Sequence, residues 1–271
     1  MIAGRFCACA LAFAASTAAA VASESPAPPT PLPRPFGRGY ATTHVTAFAP
    51  YVFESTLVRI RFDVPRGEVF GDEVAIVRAK RGALATLPFN SLGIRYDGIT
   101  VNGNPASYSL DPARESLDVR LPSPVSAGTR LVVEFKYRTR PQRGVYFIRP
   151  DKAYPGVTPE IWTQGEATDN RRWFPTWDEP NAKTPSELIV TVPRGWTVVA
   201  NGYLKAHSVG ASSETWDWNA PRPKSTYLIA FAAGPWQRTT SVVKGRAISV
   251  YIRKSRAKEA DADTLDRKSV V

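Results

Sequence analysis

The chain has 271 residues, enough for one large domain or two small ones. Its 43% hydrophobic and 22% charged residues exclude a wholly disordered chain, a collagen and a coiled coil, and 24 prolines make long helices scarce. The net charge is +11, from 35 basic and 24 acidic residues, but pairs such as Lys80-Arg81 and Arg171-Arg172 are the densest basic clusters. That dispersion describes a soluble basic surface, so no nucleic-acid partner is expected.

The N-terminus reads as a targeting segment. Arg5 supplies a short positive region, Phe6 to Ala15 an apolar stretch, and Ala20-Val21-Ala22 a small-residue cleavage site. Residues 1–22 are therefore expected to be a signal peptide cut after Ala22, too short for a transmembrane helix, with no stable membrane insertion. This implies an exported protein of a bacterial envelope, periplasmic or extracellular. Both cysteines, Cys7 and Cys9, fall inside that segment, so the exported form is expected to hold no disulfide and no thiolate metal ligand. Residues 23–39 carry Pro26, Pro28, Pro29, Pro31, Pro33 and Pro35 among Ser and Ala, a Pro-rich linker without apolar periodicity.

From residue 40 to 252 the apolar period is two. Val58, Ile60, Phe62 and Val64 alternate with Arg59, Arg61 and Asp63, as a half-buried strand requires. Leu117-Val119-Leu121, Leu131-Val133-Phe135-Tyr137 and Leu188-Val190-Val192 repeat the pattern, and Thr215 to Trp218, Tyr227 to Phe231 and Ile248-Val250-Ile252 predict further strands. Asp97-Gly98, Asn102-Gly103 and Asn201-Gly202 predict tight turns, and Pro65-Arg66-Gly67 and Pro193-Arg194-Gly195 predict strand ends. Many short strands with regular turns give an all-β fold, a large antiparallel β-sandwich or curved sheet. Only residues 253–271 leave this regime; Lys254 to Lys268 is charged and free of Gly and Pro, the start of a linker or helix.

Several chemistries are excluded by absence. The two histidines, His44 and His207, are far apart, so a His-Glu-x-x-His zinc helix does not exist in this chain. Neither a G-x-S-x-G elbow nor a phosphate-binding glycine loop is present.

The densest unusual stretch is Trp162 to Pro180, WTQGEATDNRRWFPTWDEP, which has neither helical nor strand periodicity throughout. A long aromatic and charged loop on a β scaffold is more often functional than a plain connector. Here Thr163, Gln164, Glu166, Thr168, Asp169, Arg171, Arg172, Phe174, Pro175, Asp178, Glu179 and Pro180 form a pattern that resembles the signature of the N-terminal β domain of zinc aminopeptidases of the aminopeptidase N type. Asn181-Ala182-Lys183, the run VTVPRGWTVVANG and the segment Ser225 to Trp236 extend the resemblance, which covers residues 40–252. Gly165, Thr176 and Trp177 depart from it, standing where the family often has Phe, Cys and Phe.

The resemblance implies that Glu166 binds the free α-amine of a peptide substrate and that Gln164 lines the pocket for the first substrate side chain. The alternative for Glu166 is an ion pair with Arg171 or Arg172; for Gln164 it is a backbone hydrogen bond at a strand edge. Asp169, Arg171, Arg172, Asp178 and Glu179 are expected to form a charge network, and Trp173, Phe174 and Trp177 to pack in the core or at a domain interface. The family's zinc ligands and general base are expected beyond Val271, in a catalytic domain that would be this chain's partner together with peptide N-termini. No catalytic residue, metal ligand or bound cofactor is therefore assigned to the chain, which is expected to be inactive alone; Zn2+ belongs to the full-length parent. Two other readings remain open: a free-standing β-sandwich that binds peptides or a surface without catalysis, and a carbohydrate-binding sandwich suggested by the seven tryptophans.

Overall fold

Alternation of buried and exposed side chains carries directly into structure. The computed structural model describes residues 48–254. The expected signal peptide, the Pro-rich linker, His44 and all but the first two residues of the expected tail lie outside the described residues.

Strands β1 (Tyr51–Asp63) and β2 (Glu68–Ala79) form a hairpin whose turn contains Pro65-Arg66-Gly67, with Gly67 at φ 63° and the Arg66 amide donating to Asp63 Oδ1 at 3.0 Å. Next come β3 (Leu84–Asn90), β4 (Ile94–Val101), β5 (Asn104–Pro105), β6 (Tyr108–Asp111), β7 (Ser116–Val125) and β8 (Arg130–Thr139). Asn102 and Gly103, at φ 51° and 78°, make the two-residue turn between β4 and β5 that needs two left-handed positions. Then follow β9 (Val145–Ile148), β10 (Glu160–Thr163), a 3-10 turn at Asn170–Arg172, β11 (Lys183–Pro193), β12 (Thr197–Ala200), β13 (Tyr203–Val209) and β14 (Ser213–Ser225). A 3-10 turn at Thr226–Leu228 leads to β15 (Phe231–Gly234), β16 (Trp236–Val243) and β17 (Arg246–Arg253).

These strands build an eight-stranded sheet, β13-β14-β11-β1-β2-β8-β4-β5, a four-stranded sheet, β12-β15-β10-β9, a three-stranded sheet, β3-β7-β6, and the hairpin β16-β17. The all-β fold is as expected. Pairing is antiparallel except between β1 and β11, whose Val58 and Leu188 stand side by side in a parallel register. A parallel pair requires a crossover, and here the chain between β1 and β11 supplies the whole three-stranded sheet, β9 and β10 of the four-stranded one and the signature loop before it returns.

One face of the large sheet is the core. Val58 and Ile60 of β1, Val133 and Phe135 of β8, and Leu188 and Val190 of β11 are buried on it. Phe89 of β3 meets Phe135 at 5.1 Å, and Phe62 of β1 meets Phe147 of β9 at 6.0 Å and Phe231 of β15 at 5.6 Å. In the ladder Phe62 stands opposite Val69 and Val69 opposite Thr139, so Phe62 shares a face with Phe135. Both small sheets therefore cover the same side, and each fully buried aliphatic or aromatic side chain contributes about 1.5–3 kcal/mol.

Two local expectations are corrected. Tyr227 to Phe231 is not one strand: the 3-10 turn Thr226–Leu228 precedes β15, held by the Ile229 amide on Thr226 O at 3.0 Å. Asp97-Gly98 is not a hairpin turn; it lies inside β4, where a register shift between Tyr96 and Gly98 marks a bulge against β8.

Candidate functional site

The signature loop is fixed at its start by β10. Thr163 Oγ1 donates to Phe231 O at 3.1 Å and accepts from the Phe231 amide at 2.9 Å, which locks β10 to β15. The Gln164 amide then donates to Gly144 O at 3.0 Å, and the Asp169 amide to Gly165 O at 2.8 Å. Gly165 is required: a Cβ there would meet Tyr227 O at 2.3 Å and Asn170 Oδ1 at 2.5 Å. The bulky residue common at this position in the resembling family has no room in this loop.

Gln164 and Glu166 are both exposed, two residues apart, and the Glu166-Ala167 peptide bond is cis. The structure does not pair Glu166 with either neighbouring arginine. Arg171, whose side chain is 6% exposed, donates through Nη1 to Glu115 Oε2 at 3.0 Å and through Nη2 to Asp178 O at 3.1 Å, with Nε 3.4 Å from Asp178 Oδ2 and Nη2 3.7 Å from Glu179. Arg172 Nε donates to Asp169 Oδ1 at 3.0 Å, and Arg143 stands 2.9 Å from Asp169 Oδ2. The charge network thus joins all five residues expected in it and recruits Glu115 and Arg143 from other loops. It uses both arginines without Glu166.

Asp178 is the most perturbed member. Its side chain is 0% exposed, Oδ2 accepts the Arg171 amide at 3.1 Å, and Oδ1 has no hydrogen-bond partner. Burial pushes its carboxyl up to about 6, against the opposing pull of the Arg171 guanidinium.

Asn170 was not singled out by sequence reasoning, yet it bolts the loop down. Its Nδ2 donates to Thr226 O at 2.8 Å and Ile229 O at 3.0 Å, and its Oδ1 accepts from Trp173 Nε1 at 2.8 Å. Trp173 and Phe174 are fully buried, 4.4 Å apart, while Trp177 is half-buried and meets Tyr51 edge-on at 6.5 Å. Asn90 holds the far end: its backbone and Thr176 exchange hydrogen bonds, and its Oδ1 accepts the Asp178 amide at 2.8 Å. Nothing in a lone Asn marks it as a buried bolt.

On the outer side of the four-stranded sheet Trp162, 39% exposed, stacks on Tyr146 at 4.4 Å, in the strand that leads to Gln164. A cavity of about 770 Å³, lined by Phe147, Pro159 and Trp196 among others, opens at the opposite end of β10 and does not include Gln164 or Glu166. His207 lies on strand β13, hydrogen-bonded to Glu214 at 2.8 Å and stacked on Trp216 at 3.8 Å. Among the described residues no cluster of three or more His, Cys, Asp or Glu is arranged to hold a metal ion, so the chemistry of a bound zinc has no fitting donor set in this part of the chain. Among the same residues no helix is long and apolar enough to cross a membrane.

Comparison with known proteins places these features in a context. The family described as Peptidase M1 N-terminal domain matches residues 64–228. Aminopeptidase N of Acetobacter pasteurianus is 28% identical over 198 residues, spanning 72% of this chain and 56% of that protein. Human aminopeptidase B is 31% identical over 141 residues, 48% of this chain and 20% of that protein. The crystal structure of an M1 zinc metallopeptidase from Deinococcus radiodurans superposes with a TM-score of 0.61 at 21% identity, covering 74% of this chain and 46% of that one. This chain therefore spans about half the length, or less, of the relatives it matches.

Proposed function

Because this chain belongs to the Peptidase M1 N-terminal domain family, we propose that it is the substrate-recognition part of a zinc aminopeptidase, with Glu166 receiving the free α-ammonium of a peptide and Gln164 beside the first side chain. The observation that carries this reading is the state of Glu166: exposed, and left out of the network that occupies Arg171 and Arg172. An enzyme that counts residues from the N-terminus needs an anion that meets an ammonium and rejects a blocked amine. A carboxylate does this through a charge-assisted hydrogen bond. Gln164 offers an amide that both donates and accepts, suited to a substrate carbonyl or side chain. Zinc, held elsewhere in the longer protein, would supply the activated water; the described residues of this chain bind and orient.

The test is Glu166→Gln in the longer protein that contains the zinc-bearing part. A hydrogen bond to a charged group contributes about 1.5–3 kcal/mol, so kcat/KM for free peptides should fall roughly ten- to more than a hundredfold. The melting temperature should not move, because no contact of the network is lost. Unchanged kcat/KM with lowered thermal stability would assign Glu166 to structure and sink the reading.

A further inference from the structure

The cavity of about 770 Å³ at the far end of β10 has stiff walls. Pro65 of the β1-β2 turn, Pro150 and Pro159 of the β9-β10 connection and Pro193 at the end of β11 all line it. A proline ring fixes φ, so these walls give up little freedom when a ligand arrives. Two aromatic side chains complete the apolar part. Phe147 of β9 is held edge-on against Phe62 at 6.0 Å, and Trp196 is buried, with its amide donating to Pro193 O at 3.2 Å. A preformed apolar cleft of this size with few polar groups suits a small molecule.

The polar groups are Arg149 and Asp151, of opposite sign and separated only by Pro150. Pro150 restricts Arg149 to extended backbone, and residues two apart in extended chain face the same side. Among the described residues neither forms an ion pair, with the other or with a third group. Arg66 and Asp63 show the contrast, closed on each other at 2.8 Å. The Arg149 guanidinium is anchored through Nη1, which donates to Pro65 O at 2.6 Å, and its Nε and Nη2 have no partner among the described residues. Gly67 leaves room for this anchor, since a Cβ there would stand 3.3 Å from Nη1. The Asp151 carboxylate is oriented through Oδ1, which accepts the Tyr154 amide at 2.7 Å, and Oδ2 is left over.

We propose that this cavity binds a free α-amino acid with a bulky apolar side chain. Nε and Nη2 of Arg149 form the side-on fork that takes the α-carboxylate through two parallel bonds. Asp151 Oδ2 accepts from the α-ammonium, and the ligand side chain lies against Phe147 and Trp196. The ligand carries both charges on one carbon, so it needs two opposite protein charges side by side that do not neutralise each other. A simple carboxylate would leave Asp151 facing an anion, and a simple amine would leave Arg149 facing a cation; the pair selects the zwitterion. Neither Gln164 nor Glu166 lines this cavity, so the inference goes beyond the peptide-binding reading and does not depend on it.

The experiment is calorimetric titration of the full chain with L-phenylalanine. A ligand this small should bind with Kd of about 0.1–1 mM. N-acetyl-L-phenylalanine and L-phenylalaninamide, each lacking one charge, should bind about tenfold or more weaker, because each gives up a bond between charged groups. Glycine, lacking the apolar body, should give no measurable binding. Arg149→Gln should erase the advantage of L-phenylalanine over its amide, and Asp151→Asn its advantage over the N-acetyl form. Both side chains are exposed, so neither variant should change the melting temperature. Glu166→Gln should leave L-phenylalanine binding unchanged, which separates this cavity from the signature loop. The proposal is overturned by the absence of saturable binding, by equal affinity for the blocked forms, by binding indifferent to both Arg149→Gln and Asp151→Asn, or by binding lost in Glu166→Gln.

Discussion

At Asp178 burial and charge pull in opposite directions, and burial wins. Its carboxyl titrates near 6 in the folded chain, against about 3.9 when unfolded. A folded-state value above the unfolded one means that the contribution to stability is complete below about pH 4 and is lost as pH rises through about 6. Two units correspond to about 3 kcal/mol, an order-of-magnitude figure for a group this enclosed. In Asp178→Asn, denaturant unfolding should therefore lose about 2 kcal/mol less between pH 4 and pH 7 than in the parent; equal losses would show that the Arg171 pair, not burial, governs the site. Gly165 and Asn170 act at the same scale by shape. The first admits Tyr227 O and the second satisfies two carbonyls and an indole, so the backbone that carries Gln164 and Glu166 is held by contacts on either side of it.

At the scale of elements, β10 is tied to the hairpin β16-β17 by one carboxylate. Glu160 Oε1 accepts from Trp236 Nε1 at 2.8 Å and from Arg253 Nε at 2.7 Å, and Oε2 accepts from Arg253 Nη2 at 2.5 Å. The bidentate guanidinium holds the Glu160 carboxyl below its usual range, with the Trp236 bond adding to it. Its stabilisation is present above the ordinary glutamate range and is lost as pH falls through the lowered value. Glu160→Gln should cost about 1.5–3 kcal/mol, and amide exchange should quicken in β16 and β17 while the eight-stranded sheet keeps its protection. Global loosening instead would mean that the hairpin is not a separate unit. Which elements were legible in sequence follows from the same physics. β1, β7, β8 and β11 alternate cleanly because one face is buried and the other wet. β2 hides its period because its buried face carries Gly71 and Glu73, the glycine making room for the Tyr137 ring, whose nearest atom lies 2.1 Å from where a Cβ would stand. β13 is missed because every residue of it is exposed, and β3 because Pro88 interrupts it. The signature loop was legible as chemistry but not as geometry: Glu115, Arg143 and Asn90 join it across long sequence separations that no local pattern encodes.

Across the whole described fold, the ionisable groups divide by burial, and the division sets how stability responds to pH. Exposed pairs such as Glu54 with Arg78 and Arg130, or Asp63 with Arg66, lower their carboxyls and favour higher pH, but water screens them. Glu73 works the other way and from the centre of the sandwich. It stands on β2 between Val58 of β1 and Phe135 of β8, 1% exposed, and neither carboxyl oxygen has a hydrogen-bond partner. The groups that face it are Tyr51, Tyr96 and Tyr137, all buried far enough that their phenols stay neutral well above the ordinary tyrosine range. Ionising Glu73 there would leave a charge without water or a counterion, so burial raises its carboxyl well above 4.5 and the folded chain keeps it protonated. The sign follows: the group's contribution is whole below the unfolded value and is lost as pH rises toward the folded one. Glu73→Gln holds the shape and cannot ionise. The parent's unfolding free energy should decline from mildly acidic to alkaline pH, and the variant's decline should be visibly shallower, with an infrared carboxylic-acid band present in the parent at neutral pH and missing in the variant. Parallel pH profiles, or no such band in the parent, would mean that Glu73 is ionised in the core and has a partner that its present surroundings do not provide.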